Sequence, residues 1–395
     1  MNLSDTTIAQ LLPALNSGGV EQGVIDVARA VADAGAGSVV ISNGGRRVSE
    51  LTRHGVKHIQ LPVHSKNPIT IWRNINRLRR VMADHDIDIL HGHSRAPCWS
   101  GYFACRNLDH RHWVTSLHST HNIQNRFKRT YNSSMLTGEL VITVSDYLAR
   151  HAADEYDVDA GCLRPIPRGI AIDHFHPNAV SPERMIDWSK RWALPADKSI
   201  ILLAGRMSRW KGHENFVRAL ARLKRQDIFG LIIGADNEQS DYQKEILDLI
   251  RELGVQDRIK LVGYCNDMPV AYHLAEVLVA PSTQAEGFGR VPVEAQAMGK
   301  PVVASNFGPT VDTIEDGVTG RLVDPSDPSA IADGINWALD LSPTERAELA
   351  TRAMNRVRKR YTKDQQMRAT LDVYQEVLSI DNNNKGNKND PNSHQ

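Results

Sequence analysis

At 395 residues the chain is longer than one hydrophobic core usually supports, so two domains are expected. Hydrophobic residues at 41% and charged residues at 24% exclude a disordered or fibrous chain. A net charge of +1, four scattered cysteines (Cys98, Cys105, Cys162, Cys265) without metal-ligand spacing, and no apolar run near the roughly 18 residues of a span exclude a strongly charged binder, a disulfide or zinc scaffold and an integral membrane protein.

The N-terminus lacks a basic n-region, so no recognisable export signal is expected, and the scattered cysteines fit a reducing cytoplasm. Residues 8–13 read as a first strand, followed by a turn at 16–21 and a helix at 22–34. Gly18 and Gly19 let the backbone approach a ligand at that helix start, as a diphosphate requires, although the pair alone equally suits a plain turn. Gly-x-Gly-x-x-Gly is absent, which disfavours a nicotinamide oxidoreductase.

Strand and helix patterns then alternate: strand 38–42, a helix from about 49, strand 58–61, a long helix 69–85 and strand 87–91. Such alternation implies right-handed βαβ units and a parallel sheet, with ligands beyond the C-terminal ends of the strands. That rule sorts the candidate residues. Asp84-His-Asp-Ile-Asp88 precedes its strand and lies at the wrong edge for a metal site, so no metal is expected. His91-Gly-His93-Ser94-Arg95 follows a strand, and His118 ends Trp113-Val-Thr-Ser-Leu-His118, so both lie at the ligand edge.

Residues 53–135 hold 13 Lys/Arg against 4 Asp/Glu, a local balance of +9, and 10 of the 16 histidines. This is either a solvated surface or one that attracts an anionic partner. The helix Trp72–Met82 carries Trp72, Ile75, Leu78 and Met82 on one face and Arg73, Arg77 and Arg80 on another, and Arg126-Phe-Lys128-Arg129 sets three cations around an aromatic ring. No recognised nucleic-acid fold accompanies them, so a membrane interface or phosphorylated lipid fits better than nucleic acid. A further strand at 140–144 and a Pro-containing stretch at 178–198, read as a linker, place the domain boundary near 180.

In the second half, strand 199–204 leads into Gly205-Arg206-Met-Ser-Arg-Trp-Lys211-Gly212 and a helix at 213–225. Arg206 and Lys211 thus stand at a strand end beside a helix start, where they either neutralise a diphosphate or are solvated cations. Strands ending at 236, 264 and 282 follow, whose loops would shape a base pocket. Gln284-Ala-Glu286-Gly-Phe288-Gly289-Arg290-Val-Pro-Val-Glu294 then sets two acids eight apart around a Gly-Phe-Gly turn, with free amides at a helix onset that suit phosphate or sugar oxygens.

Glu-x7-Glu with Phe-Gly after the first acid, Gly18-Gly-x-Glu21, the Arg206/Lys211 pair and the segment Gly169–Pro177 together resemble the retaining family 4 glycosyltransferases. The resemblance implies an α/β GT-B fold of two Rossmann-like domains with parallel sheets facing a central cleft. Residues 1–180 would be the acceptor side, 181–360 the nucleotide-sugar side, 361–380 a helix packing back on the first domain, and 381–395 a disordered tail. It also implies roles. His118 would lie beside the transferred sugar. Glu286 would accept from sugar hydroxyls, with the amides around Phe288, Gly289 and Arg290. Glu294 would hold the ribose, and Arg206, Lys211 and Gly18-Gly19 the departing diphosphate. No cofactor and no divalent metal would be required. Pro309 departs from the family pattern and removes one amide.

More narrowly, Gly18-Gly-Val-Glu21, Lys66-Asn-Pro68, Ser94-Arg95-Ala-Pro97, Lys128-Arg129-Thr-Tyr-Asn132, Arg209-Trp-Lys-Gly212, Asp267-Met-Pro269 and Phe288-Gly-Arg290 resemble the lipopolysaccharide core mannosyltransferases of alphaproteobacteria. This implies GDP-mannose as donor and a Kdo-bearing lipid A as anionic acceptor, with the enzyme at the inner face of the cytoplasmic membrane. Ser94, Arg95, Arg126, Lys128, Arg129, Arg73 and Arg77 are then the acceptor- or membrane-side candidates. Gly92 and Cys98 depart from the match. The alternatives are a family 4 enzyme for another glycolipid or exopolysaccharide, and a non-catalytic binding protein on the same fold.

Overall fold

The structure, a computed structural model, describes residues 3–388 except 17, 107, 109, 122, 124 and 236–239, with side chains as far as 380. Two compact units divide the chain, one formed up to Pro167 and again from Asp364, the other by Arg168–Lys363.

In the first unit β1 (Thr7–Leu11), α1 (Gly19–Asp33), β2 (Gly37–Ser42), α2 (Val48–Thr52), β3 (Lys57–Gln60), α3 (Pro68–Asp84), β4 (Ile89–Gly92), α4 (Arg95–Cys105), β5 (His112–Leu117), α5 (Arg126–Ser133), β6 (Leu140–Thr143), α6 (Asp146–Tyr156) and β7 (Leu163–Pro165) follow in order. All pairings are parallel, in the order β3-β2-β1-β4-β5-β6-β7. Helices cover both faces, so β4, β5 and β6 are buried at every position, including the polar His91, His112, Thr115, Ser116 and Thr143. Asp88 accepts from the Thr7 amide at 2.8 Å and pairs with Arg111 at 3.3 Å, tying the N-terminal edge of the sheet together. That is a structural use for the acidic stretch set aside as a metal site.

Local signals explain α3. Asn67 accepts from the Ile69 and Thr70 amides at 2.9 and 3.4 Å, and Pro68 occupies the first turn. Leu78 and Met82 are buried, but Trp72, expected on the same face, is 65% exposed. At Gly92 a methyl group would sit 2.6 Å from the Cys98 sulfur and overlap Trp113. The departures at Gly92 and Cys98 are therefore packing choices under one indole ring.

The second unit contains α7 (Pro182–Arg191), β8 (Ser199–Ala204), α8 (His213–Arg222), β9 (Ile228–Ile233), α9 (Asp241–Glu252), β10 (Ile259–Val262), α10 (Met268–Leu274), β11 (Ala275–Ala280), α11 (Arg290–Ala297), β12 (Val302–Ser305), α12 (Thr310–Thr313), β13 (Arg321–Val323), α13 (Pro328–Leu339) and α14 (Pro343–Arg360). Its parallel sheet runs β10-β9-β8-β11-β12-β13. The last helix, α15 (Lys363–Lys388), belongs to the first unit: Val373, Tyr374 and Val377 share a core with Ile8, Ile89, Val114 and Leu140.

Three boundary expectations change. The chain passes to the second unit at Arg168 rather than near 180, because Ile170 bridges to Thr362, donating to Tyr361 O at 2.8 Å and accepting from the Lys363 amide at 3.0 Å. The stretch 178–198 is not a linker. Ser181 caps α7, Pro182 opens it, and Val180 and Trp192 enter the core while Arg184 clamps Asp267 at 2.6 and 3.1 Å. The stretch 381–395, expected to be disordered, begins as a continuation of α15 to Lys388, and residues 389–395 lie outside the described ones.

Candidate active site

In the second unit β8 and β11 are neighbours, so the loops leaving their C-terminal ends meet. They are stitched together. The Thr283 amide donates to Trp210 O at 2.7 Å, and Gly212, in the left-handed region at φ 77°, lies so close to Pro281 that a methyl would overlap its carbonyl oxygen. Lys211 is thereby delivered to Glu286: Nζ donates to Oε1 at 2.8 Å, and Ser282 Oγ donates to the same oxygen at 2.7 Å. The Lys211 ammonium also lies 4.5 Å from the centroid of the Trp210 ring. Both bonds land on Oε1, so Oε2 keeps its lone pairs for hydroxyl donors. Arg206, exposed at the end of β8, stands on the same loop.

Gly289 adopts φ 78° and starts α11, presenting its first-turn amides beyond the Glu286 loop. Arg290 is exposed at that onset. The Phe288 ring is buried and packs edge-on against Tyr361, with centroids 5.7 Å apart, so only its backbone can serve a ligand. Glu294 is 8% exposed and one oxygen accepts from Tyr272 OH at 2.7 Å. Burial pushes its carboxyl pKa up, opposed by the Arg290 charge and the tyrosine bond. Tyr272 was not singled out from sequence; a tyrosine at ordinary helical spacing carries no signal for it. Tyr264, just past β10, is 85% exposed at the same sheet edge.

In the first unit Gly18 caps α1 at φ 147°, and Gly19 is the first helical residue. A methyl on Gly18 would lie 2.5 Å from a Glu21 carboxylate oxygen, so the Gly-Gly-x-Glu spacing folds Glu21 back over the turn. His118 follows β5, and His93 and Ser94 follow β4. His93 Nδ1 lies 3.1 Å from His118 Nε2, with the rings stacked at 5.3 Å. Behind them is a buried polar chain: His93 Nε2 to Gln10 Oε1 at 2.7 Å, Gln10 Nε2 to Tyr374 OH at 2.9 Å, Tyr374 OH to His91 Nδ1 at 2.7 Å, and His91 Nε2 to Ser116 Oγ at 2.8 Å. Burial lowers the His91 pKa to about 3, so that ring is neutral. Gln10 and Tyr374 were missed from sequence because 364 positions separate them.

Arg95 is turned toward α5, donating to Asn132 Oδ1 at 3.0 Å and lying over the Tyr131 ring at 5.5 Å. Arg129 donates to Glu155 O and pairs with Asp157, and Arg126, Lys128 and the 88%-exposed Phe127 are exposed on the same helix. Arg73 and Arg77 are exposed on α3, Arg77 donating to Asn74 Oδ1 at 3.0 Å. Beside them a groove of about 460 Å³ is lined by Trp72, Ile75, Asn76, Arg79, Phe103 and Arg106. The sequence-predicted residues thus fall into an acid–cation cluster in the second unit and a histidine edge plus a basic, aromatic surface in the first.

Two parallel-sheet α/β units are the architecture of the GT-B glycosyltransferases. Residues 17–174 match Glycosyltransferase Family 4, and residues 185–360 match Glycosyl transferases group 1. The crystal structure of a glycosyltransferase from Rickettsia africae is 33% identical, with a TM-score of 0.87, covering 95% of this chain and 99% of that one. A D-inositol 3-phosphate glycosyltransferase of Xylanimonas cellulosilytica is 30% identical over 73% of this chain and 71% of its own length. A lipopolysaccharide 1,2-N-acetylglucosaminetransferase of Salmonella typhimurium is 31% identical over 56% of this chain and 58% of its own. The chain belongs to the glycosyltransferases that join a family 4 domain to a group 1 domain, and its fold is of the GT-B type.

Proposed function

We propose that this glycosyltransferase moves mannose from GDP-mannose, with retention of configuration, to a Kdo-bearing lipid A acceptor at the inner face of the cytoplasmic membrane. The observation that carries the transfer chemistry is the Lys211–Glu286 contact at 2.8 Å, held by the loop stitching around Gly212. Lys211 and Arg206 offset negative charge as the bond between the anomeric carbon and the phosphate oxygen breaks, a task often given to a divalent metal. No metal is then needed. Glu286 Oε2 accepts from sugar hydroxyls, the amides opening α11 serve donor oxygens, and Glu294 takes the ribose. The acceptor hydroxyl forms the new bond on the same face and passes its proton to the departing phosphate oxygen.

Support for an anionic lipid acceptor comes from the +9 region and the lipopolysaccharide-acting relative. It also comes from the surface that bears Trp72 at 65% and Ile69 at 61% exposure among Arg73, Arg77, Arg79 and Arg80, with exposed Phe127 beside Arg126 and Lys128. Exposed aromatics ringed by cations suit a headgroup region. A second reading, transfer to a phosphorylated polyol or another glycolipid, is favoured by the inositol-phosphate relative. Mass spectrometry of products after incubation with GDP-mannose or UDP-sugars, Kdo-lipid A or inositol phosphate, with and without EDTA, tests these readings. A hexose added to Kdo-lipid A from GDP-mannose in EDTA is expected. Product only with another donor or acceptor, or none in EDTA, overturns the corresponding part.

A further inference from the structure

We propose that Tyr272 is a positioning residue that holds the Glu294 carboxylate for the ribose of the donor nucleotide, and thereby makes the site choose ribonucleotides over their deoxy counterparts. This rests on the reading above that Glu294 takes the ribose. Glu294 lies on α11 between Val293 and Ala295, both fully buried. A carboxylate in such a setting turns to water, takes up a proton or finds a donor. Tyr272 OH supplies that donor, at 2.7 Å from Oε2. Burial pushes the phenol pKa well above its ordinary value, so it keeps its proton at neutral pH. In either sense of this bond Oε2 is the oxygen that is held, and among the described residues Oε1 has no hydrogen-bond partner. A carboxylate is a planar fork, so holding one prong fixes the direction of the other and leaves Oε1 as an acceptor for a hydroxyl.

The tyrosine itself is firmly placed. Asp267, at the start of α10, receives both Arg184 bonds from α7 at 2.6 and 3.1 Å, and Pro269 occupies the first turn. Val270, Ala271 and Tyr272 then enter one core with Ala295 and Met298 of α11, and the Tyr272 ring lies 6.1 Å from that of Phe175. Tyr272 is 0% exposed, and a hydroxyl buried to that degree requires a partner, which Glu294 provides. The packed ring loses little freedom on making the bond, whereas a glutamate side chain released from it regains several rotamers. Removing the hydroxyl alone therefore keeps the packing and frees the carboxylate.

The test measures Kd by calorimetry on the full-length protein for GDP and for UDP, each beside its 2′-deoxy and 3′-deoxy analogue. The wild type is expected to bind the ribonucleotide about tenfold to a hundredfold more tightly than at least one analogue, the worth of a hydrogen bond to a charged group. In Tyr272→Phe the ribonucleotide should weaken until that preference is about threefold or less, while the analogue keeps its Kd within about twofold. Tyr272→Met, which also lacks the hydroxyl, should do the same and serves if the Phe variant does not fold. An unchanged preference in a folded variant, or equal weakening of both forms as loosened packing would give, overturns the proposal. Glu294→Ala separates this from the reading beneath it. If Glu294→Ala loses the preference and Tyr272→Phe keeps it, only the positioning fails. If Glu294→Ala keeps the preference, or the wild type has none or binds neither nucleotide, the ribose reading fails and the proposal falls with it.

Discussion

Replacing Glu286 with Gln separates a catalytic charge from a structural one. The substitution keeps the side-chain volume and an acceptor for Ser282, and removes the charge that Lys211 meets at 2.8 Å. The two side chains are 15% and 22% exposed, so the pair is partly screened. A hydrogen bond to a charged group contributes about 1.5–3 kcal/mol when buried, and the remaining exposure discounts this toward about 1 kcal/mol. In a unit of this size that corresponds to a fall in Tm of about 2–4 °C. A group that stabilises the transition state costs far more when removed: about 10²–10³ in kcat, or about 2.7–4 kcal/mol. Initial rates of transfer and a thermal melt should therefore diverge, with kcat reduced at least about a hundredfold on a protein whose Tm has barely moved. Lys211→Met should behave similarly, and the double variant should lose less than the sum of the two, because the residues share one contact. Wild-type kcat in the Gln variant, or a strictly additive double variant, would refute the assignment of this pair to the reaction.

Gly212→Ala puts a methyl into the Pro281 carbonyl from a left-handed backbone, so a loss of about 1–3 kcal/mol in denaturant titration is expected, together with loss of transfer as Lys211 swings from Glu286. Glu294→Gln tests a raised carboxyl pKa. A folded pKa above the unfolded one means that stability falls as pH rises from about 4.5 through the folded value, so the variant should gain Tm relative to wild type near neutrality and lose that gain at pH 4, while binding donor more weakly. Gly92→Ala overpacks the Trp113 site by about 1–3 kcal/mol, and pairing it with Trp113→Phe should recover part of the loss in the same melt. Trp72→Glu should abolish co-sedimentation with anionic vesicles while transfer to a detergent-dispersed acceptor persists; unchanged vesicle binding would remove α3 from the membrane surface.

What could be read from the residues and what could not divides along the range of the forces involved. Strand β8 and the onset of α8 were legible because their signals are local: an apolar run, then Gly212, whose positive φ admits few other residues. The Lys211–Glu286 partnership, 75 positions apart, was legible only as two candidates at strand ends, since adjacency of β8 and β11 is a property of the sheet order. Helix α7 was misread as a linker although Ser181-Pro182 is a helix-start signal, because Pro weighs as a breaker until its position in the first turn is known. Trp72 and Leu78 share a helical stripe in α3, yet only Leu78 finds neighbours; which end of a stripe is covered depends on the packing partner and not on the period.

Tyr374 is the extreme case. Nothing in its surroundings along α15 distinguishes it from Val373 and Val377, which fill the same core, and its hydroxyl finds partners only because Gln10, His91 and Ser116 are polar among apolar neighbours on the sheet face it covers. A glutamine and a histidine in register on neighbouring strands of a buried sheet must find hydrogen-bond partners on the element that covers them. That requirement is visible from the first unit alone, and it predicts a side chain with one donor and one acceptor at whatever position of the covering helix lies over Gln10. The covering helix could not be placed over that face from sequence, so the partner could not be named. In chains that return a terminal helix to their first unit, an unexplained polar pair in an apolar strand register is therefore the feature from which to look for it.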